Sequence, residues 1–369
     1  QASALTTTTL LALTTDQARA LSSAALNALT SELLTSLGTD TIQALTTVQI
    51  SNLSTLQTSL LSTDQIQALA TGQIIAFGTR QIVSLTSDQL NSMESRDLQV
   101  LTSTQLKNLN SDQLSSLTSD QLNLLTSSQF QSLGTNQISS LTSDQLNNLE
   151  SADLQALTTA QFRALSTDQL SALNTTQTAL IETRDIAALG SAQVAAFSTD
   201  AIAALTTAQA AALSTAALNA MTSDQVASIS TDDLASLSTL QISKLSTQQL
   251  ALLTSDQVVA LSTGQMQSLT TSQVASLTSD QLNNLESRDI RSLVSNQLKA
   301  LTTAQLANLT TAQLGFLTTG QIQQIQSTQI QALSSDQLNS LASDNLQALT
   351  TAQIKALTTA QLSNLSSAD

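Results

Sequence analysis

The sequence predicts an all-α solenoid, or superhelix, of very short helices, with one helix in every repeat of eight residues. Leu, Ile, Met or Phe stands at every eighth position from Leu5 to Leu365. A second apolar column starts at Leu10 and keeps the same step with few exceptions. Because repetition at a fixed period is the signature of stacked repeat folds, we assign residues 1–369 to one continuous array of about 46 octads. We expect this array to be a segment of a longer chain.

Each octad carries the signals of a helix start. Numbered from its first apolar residue, the octad reads Leu, Ser/Thr, Ser/Thr, Asp/Ala, Gln, Leu/Ile, a variable residue and Ala/Ser/Asn. Ser and Thr are preferred N-cap residues, and a Gln three residues later completes a capping box, as in Thr302 with Gln305. The apolar residues on either side, Leu301 and Leu306, have the spacing of a hydrophobic staple. The octad therefore predicts a new helix every eight residues.

Longer regular elements do not fit this period. Eight residues of a continuous α-helix turn through roughly 800°, so an apolar column would drift by about 80° per octad. In a flat strand the two columns, five and three residues apart, would lie on opposite faces. A β-solenoid remains the alternative architecture. For the helical one we expect a Leu/Ile ladder inside and Ser, Thr, Gln and Asn outside, with the handedness and the number of octads per turn left open.

The composition argues against several classes of function. The chain has no Cys and no His, so it has neither a Ser-His-Asp triad, nor a Cys-His pair, nor a zinc site of usual composition. Its net charge of −15 argues against a nucleic-acid partner. No apolar run reaches the length of about 18 residues that a membrane span needs. We therefore expect no enzymatic activity and no catalytic, cofactor-binding or metal-binding residues.

Paired carboxylates are the candidates for general acid and base chemistry in this sequence. In four octads Glu takes the cap position and Asp takes the position of Gln. We interpret these pairs as solvated structural variation in the repeat, since calcium-binding loops of known spacing are absent. The pairs are Glu94/Asp97, Glu150/Asp153, Glu182/Asp185 and Glu286/Asp289.

Parts of the array also repeat at longer distance. Residues 61–107 resemble residues 253–299, an offset of 192 residues, and the segment 141–153 echoes part of the first block 56 residues later in the chain. Both offsets are whole numbers of octads. We interpret them as duplications of octad blocks.

The octad with the first Leu of the next one reads LTTAQLANL at 301–309 and LTTAQIKAL at 349–357, and this LTTAQLxA-type repeat resembles the repeat regions of very large bacterial secreted or surface proteins. Such regions are often labelled adhesin-like or haem-utilisation proteins. The resemblance covers the whole chain and implies an extracellular or cell-surface location and a fibrous role. A haem role is not expected, because the chain lacks the His, Tyr and Cys residues that ligate haem iron.

The sequence thus predicts a structural extracellular protein that associates with itself into fibres and has a scaffold or adhesion role. The alternative is a surface-binding module whose regular Ser/Thr rows recognise polysaccharide, ice or mineral. Contact with a cell surface or a polysaccharide is a partner that either role implies.

Overall fold

The computed structural model describes residues 6–365, and these residues form 45 α-helices of four to six residues each. Every helix occupies one octad and begins at its third position. The prediction of an all-α fold with one short helix per repeat is confirmed. No β-strand occurs within residues 6–365, so the alternative of a β-solenoid is wrong for this part of the chain. Leu5, the start of the apolar register, lies outside the described residues.

The chain divides into two compact units, the first ending at Ala188 and the second beginning at Leu189. The helices of the first unit are α1 Thr7–Leu11, α2 Thr15–Ala20, α3 Ser23–Asn27, α4 Ser31–Thr35, α5 Thr39–Ala44, α6 Thr47–Ser51, α7 Thr55–Leu60, α8 Thr63–Gln67, α9 Thr71–Ala76, α10 Thr79–Ser84, α11 Ser87–Asn91, α12 Ser95–Gln99, α13 Ser103–Asn108, α14 Ser111–Ser116, α15 Ser119–Leu122, α16 Ser127–Ser132, α17 Thr135–Ser140, α18 Ser143–Asn147, α19 Ser151–Ala156, α20 Thr159–Ala164, α21 Thr167–Ser171, α22 Thr175–Leu180 and α23 Thr183–Ala188.

The second unit is built in the same way. Its helices are α24 Ser191–Ala195, α25 Thr199–Ala203, α26 Thr207–Ala212, α27 Thr215–Ala220, α28 Ser223–Ser228, α29 Thr231–Ser236, α30 Thr239–Lys244, α31 Thr247–Leu252, α32 Ser255–Val259, α33 Thr263–Ser268, α34 Thr271–Ser276, α35 Ser279–Asn283, α36 Ser287–Ser292, α37 Ser295–Ala300, α38 Thr303–Asn308, α39 Thr311–Gly315, α40 Thr319–Ile322, α41 Ser327–Gln331, α42 Ser335–Asn339, α43 Ser343–Gln347, α44 Thr351–Ala356 and α45 Thr359–Asn364.

The predicted capping box starts most helices. Before α38, the Thr302 hydroxyl accepts a hydrogen bond from the backbone N–H of Gln305 at 3.1 Å. The Gln305 side-chain oxygen in turn accepts from the backbone N–H of Thr302 at 2.8 Å. The helix ends at Asn308, and the residue that follows it, Leu309, has an extended backbone with a φ of −63° and a ψ of 140°. The corner between α38 and α39 therefore consists of two extended residues, Leu309 at position one and the cap Thr310 at position two.

Helices three apart in the chain pack against each other within each unit. In the first unit α2 packs on α5, α5 on α8, α8 on α11 and α11 on α14. In the second unit α24 packs on α27, and α26 on α29. Three octads, or 24 residues, therefore make one coil of the solenoid. We call a series of helices that lie three apart a stack, so each unit has three stacks.

Both apolar columns of the octad point into the solenoid. In the octad that contains α38, the position-one residue Leu301 is 4% exposed and the position-six residue Leu306 is 1% exposed. Smaller residues in the second column are buried as well, among them Ala210 and Thr178. The predicted Leu/Ile ladder is therefore confirmed. Two aliphatic side chains per octad supply most of the apolar surface that folding removes from water.

The fifth-position glutamine joins consecutive coils. Besides its part in the capping box, Gln305 donates from Nε2 to the carbonyl oxygens of Val274 at 3.1 Å and Leu277 at 2.9 Å. The Val274 carbonyl belongs to α34, four helices earlier in the chain, and the Leu277 carbonyl to the corner that follows α34. Gln305 is consequently 7% exposed, and most other fifth-position glutamines are buried too. The expectation that Gln lies outside was wrong, because burying these amides satisfies carbonyls that a short helix leaves without an intrahelical partner.

An asparagine at the fifth position forms one of the two hydrogen bonds that a glutamine there forms to the preceding coil. Asn345 replaces Gln in α43, and its Nδ2 donates to the carbonyl oxygen of Leu317 at 2.8 Å, 28 residues earlier. Leu317 precedes Asn345 by the same number of residues as Leu277 precedes Gln305. An amide one methylene shorter therefore still reaches the position-one carbonyl of the preceding coil.

Candidate functional site

The four Glu/Asp pairs lie at the same place in the repeat, where elsewhere a glutamine side chain forms hydrogen bonds between consecutive coils. Each Glu stands at the cap position, and each Asp stands at position five, where the buried glutamine amide is found elsewhere. A carboxylate has no hydrogen to donate, so an ionised Asp cannot make the bond to the preceding coil. The pairs lie on α12, α19, α23 and α36. Within the first unit α12, α19 and α23 belong to three different stacks, so the structure does not gather the pairs into one site.

The aspartates are buried, which corrects the interpretation of these pairs as solvated variation. Asp97 and Asp289 have no exposed surface, and Asp185 is 1% and Asp153 5% exposed. Position five faces the preceding coil whichever residue occupies it, so the aspartates there are buried. A substrate in solution has no access to such a carboxyl, so the buried Asp of each pair is poorly placed for general acid or base catalysis.

Asp97 is the most isolated of these carboxyls. Within residues 6–365 neither of its oxygens has a hydrogen-bond partner. The guanidinium of Arg96 lies 2.9 Å from the Glu94 carboxylate but 3.9 Å from that of Asp97. Burial raises the pKa of Asp97, and the Arg96 charge lowers it only in part. The Arg96 guanidinium therefore binds the exposed acid of the pair more closely than the buried one.

Asp185 has the same arrangement with an additional hydroxyl. The Thr159 hydroxyl donates to Asp185 Oδ1 at 2.6 Å from α20, the helix that precedes α23 in its stack. Arg184 again lies close to the cap acid, with 2.8 Å between its Nη2 and the Glu182 carboxylate. Burial raises the pKa of Asp185, opposed first by the Thr159 hydrogen bond and then by the charge of Arg184.

In the pair Glu286/Asp289 an arginine replaces the missing amide. Arg288 Nε lies 3.0 Å from Asp289 Oδ1, and its Nη2 donates to the carbonyl oxygens of Val259 and Leu261 on the preceding coil. Leu261 carries the carbonyl that a glutamine at position 289 would bind. Asp289 also accepts from the backbone N–H of Glu286 at 3.1 Å, as a capping glutamine would. Arg288 and Asp289 together therefore reproduce both functions of the glutamine.

Asp153 lacks this substitute, because Ala152 stands where the other three octads have arginine. The carboxyl accepts a hydrogen bond from the Ser127 hydroxyl. No capping box forms in α19, and the backbone N–H of Glu150 donates instead to the Asn123 side chain at 3.2 Å. Burial and then the nearby charge of Glu150 raise the pKa of Asp153 to about 6.

Polar residues form regular rows on the outside of the coils. All 45 helices begin with Ser or Thr at position three, and these residues are exposed or half-exposed. Acidic residues at position four also align, because they recur every 24 residues on stacked helices. The longest such row lies on α2, α5, α8, α11 and α14 and consists of Asp16, Asp40, Asp64, Asp88 and Asp112. This row was not predicted from the sequence, although its 24-residue spacing is a signal of three octads per coil.

A shallow open groove of about 380 Å³ lies on the first unit, with Thr55, Arg80, Val83 and Asn108 in its lining. No group of three or more Asp and Glu side chains able to hold a metal ion occurs within the described part of the chain. Among the helices of residues 6–365, none is long and apolar enough to cross a membrane.

Parts of the chain match a known family of repeats. Five segments match the family model of the ALTTAQ repeat, at residues 90–127, 146–180, 178–215, 226–263 and 282–319. Together they span just under half of the sequence. The chain is therefore a tandem-repeat protein that is similar to the ALTTAQ repeat family along these segments. The comparison with curated proteins gives no match.

Proposed function

We propose that the chain is a structural protein of the cell exterior or the bacterial cell surface, that it associates with itself into fibres, and that it has a scaffold or adhesion role. We also propose that it is not an enzyme. The observation that supports this best is the bond between coils. Because a buried fifth-position glutamine joins consecutive coils in most octads, an array of this kind can extend by adding octads without any change of design.

The chemistry of the surface is consistent with a scaffold. Each helix of residues 6–365 begins with Ser or Thr, and the acidic residues at position four lie outside, several of them in rows. The aspartates at position four stand in the first helical turn, where the positive end of the helix dipole favours a carboxylate. These features stabilise the repeat and keep its surface hydrated, and none of them requires a small-molecule substrate.

Electron cryo-microscopy of the purified chain over a range of concentrations tests the proposal. We expect filaments that become more numerous and longer with concentration and that show density for short stacked helices. Dispersed particles at every concentration, together with a constant mass in analytical ultracentrifugation, would contradict self-association. Protease treatment of intact cells of the source organism tests the location separately, since a surface protein is cleaved without cell lysis.

A second candidate function is a module that binds a repetitive surface such as polysaccharide, ice or mineral. The rows of third-position hydroxyls favour it. Thr47 and Thr71 begin the stacked helices α6 and α9, so their side chains follow one another along the same face. Thr→Val changes at both positions keep the shape of the side chain and remove the hydroxyl. Loss of thermal hysteresis or of glycan binding in this variant would support the module, whereas no activity in the unmodified chain would exclude it.

A further inference from the structure

The contact between α19 and the coil before it differs from the neighbouring contacts between coils in its side chain at position five. Asp153 stands at position five and Ala152 precedes it, so this octad has neither the glutamine amide nor the arginine that replaces the amide beside Asp289. By the register of the repeat, the carbonyls opposite Asp153 are those of Leu122 and Leu125 in α15 and its corner. We call the contact between Asp153 and these carbonyls the Asp153 joint.

The length of the side chain decides what Asp153 can do there. A protonated aspartic acid has nearly the shape of asparagine, and Asn345 at the equivalent position donates to the position-one carbonyl of the preceding coil at 2.8 Å. The corresponding acceptor for Asp153 is the Leu125 carbonyl oxygen, also 28 residues earlier. A carboxylic acid can therefore supply the hydrogen bond, whereas a carboxylate places an oxygen with its negative charge against carbonyl oxygens.

We propose that the Asp153 joint is a proton-controlled weak point of the array, closed when the carboxyl carries its proton and loosened when the carboxyl is ionised. The proton lies between Asp153 and the Leu125 carbonyl in the closed state and passes to water on opening. This inference goes beyond the proposed structural role and holds whether or not the chain forms fibres.

The surroundings contain little else that titrates. Of the two helices stacked against α19, neither α16 nor α22 carries an ionisable side chain. Glu150, on the cap of α19 itself, is the charge that acts on Asp153, and it disfavours ionisation. Asp120 in α15 and Asp144 in α18 occupy exposed surface positions. The Ser127 hydroxyl from α16 stabilises the carboxylate to a limited extent.

The direction of the effect follows from linkage. The pKa of Asp153 is raised from its usual 3.8 to about 6 in the closed joint, so the closed state binds the proton more tightly than the open state. Closure is therefore most favourable below about pH 4, weakens as the pH rises through the interval up to about 6, and is constant above it.

Hydrogen exchange of the full chain, measured by mass spectrometry at pH 4.5 and 7.5 and corrected for intrinsic exchange rates, tests the proposal. We expect opening in segments 117–126 and 149–158 to increase by about tenfold at the higher pH. Asp153→Asn should abolish most of this difference, because its amide donates at every pH. Ala152→Arg should reduce the difference by supplying the cation present in the other three octads.

The octad of Asp289 serves as the internal control. Segments 253–262 and 285–293 should change less with pH than the Asp153 segments, because Arg288 already bonds the preceding coil. Equal opening of the Asp153 segments at both pH values would overturn the proposal. So would an undiminished pH dependence in Asp153→Asn, since the change in opening would then come from other groups.

Discussion

The side-chain nitrogen of Gln65 lies 2.8 Å from the carbonyl oxygen of Leu37, although the two residues are 28 positions apart in the chain. The oxygen of the same amide accepts from the backbone N–H of Ser62 at 2.9 Å. One side chain thus caps its own helix and bonds that helix to the coil before. The fold depends on a polar side chain used in this way as much as on its apolar columns.

Gln65→Ala should lower the free energy of unfolding by about 2 to 4 kcal/mol, since it leaves buried carbonyls and a cap N–H without partners. Urea unfolding followed by circular dichroism measures the change. Gln67→Ala is the matched control, because Gln67 belongs to the same helix but is exposed. Its effect should stay within about 0.5 kcal/mol. Equal effects of the two variants would show that the inter-coil bond contributes little.

Truncation of the second apolar column should be costly wherever the coils are packed. Leu114 has no exposed surface, so Leu114→Ala should destabilise the first unit by about 3 to 5 kcal/mol through lost burial and a cavity. Leu56, which is 65% exposed at position four, provides the control. Leu56→Ala should leave the urea midpoint nearly unchanged, and a large shift would contradict the assignment of the core.

A missing cap can be restored. Ala70 precedes α9 and has no side chain that can accept from the third helical residue, Gln73. Ala70→Thr should raise the free energy of unfolding by about 1 kcal/mol, because it adds the cap hydrogen bond found in most octads. Thermal unfolding measures the gain. Ala342→Thr before α43 repeats the test in the second unit, and destabilisation by both variants would argue against the capping account.

Arg288 should stabilise the contact between α36 and the coil before it. Arg288→Ala removes the donor to Val259 and Leu261 and leaves the buried Asp289 carboxylate without its cation. We expect a loss of about 1 to 3 kcal/mol at pH 7, the lower end reflecting that Arg288 itself is half-exposed. Urea unfolding measures the loss, and an unchanged free energy of unfolding would contradict this role.

The local structure followed from the sequence because the signals for it are local. A cap hydroxyl and a glutamine three residues apart, as in Thr302 and Gln305, define a helix start by themselves. The sequence also separated core from surface for Leu301 and Leu306, because an apolar residue that recurs at a fixed period marks a face that the fold buries. The Glu/Asp pairs were recognised as one class of variant because they replace the cap and the glutamine together.

The burial of the fifth-position side chain could not be predicted from the sequence. Its burial depends on which helix lies beside it, and that neighbour is set by the corner angles and by three octads per coil. A hydrophobicity pattern assigns an amide such as Gln305 to the surface, and an acid such as Asp97 even more so. The 24-residue recurrence of Asp16, Asp40 and Asp64 contained the missing information, because residues on one stack experience similar surroundings.

The coil of three octads constrains how such a gene can grow. Adding or removing one octad moves every downstream residue to the next stack and separates side chains that had been neighbours across a joint. Adding three octads, or any multiple, returns each residue to its former stack. The 192-residue offset within the sequence equals eight coils and keeps this phase, whereas the 56-residue offset shifts it by one octad. Duplications by a multiple of three octads keep the copied surface residues on the same stack. Duplications by other numbers of octads place the same motif on different stacks.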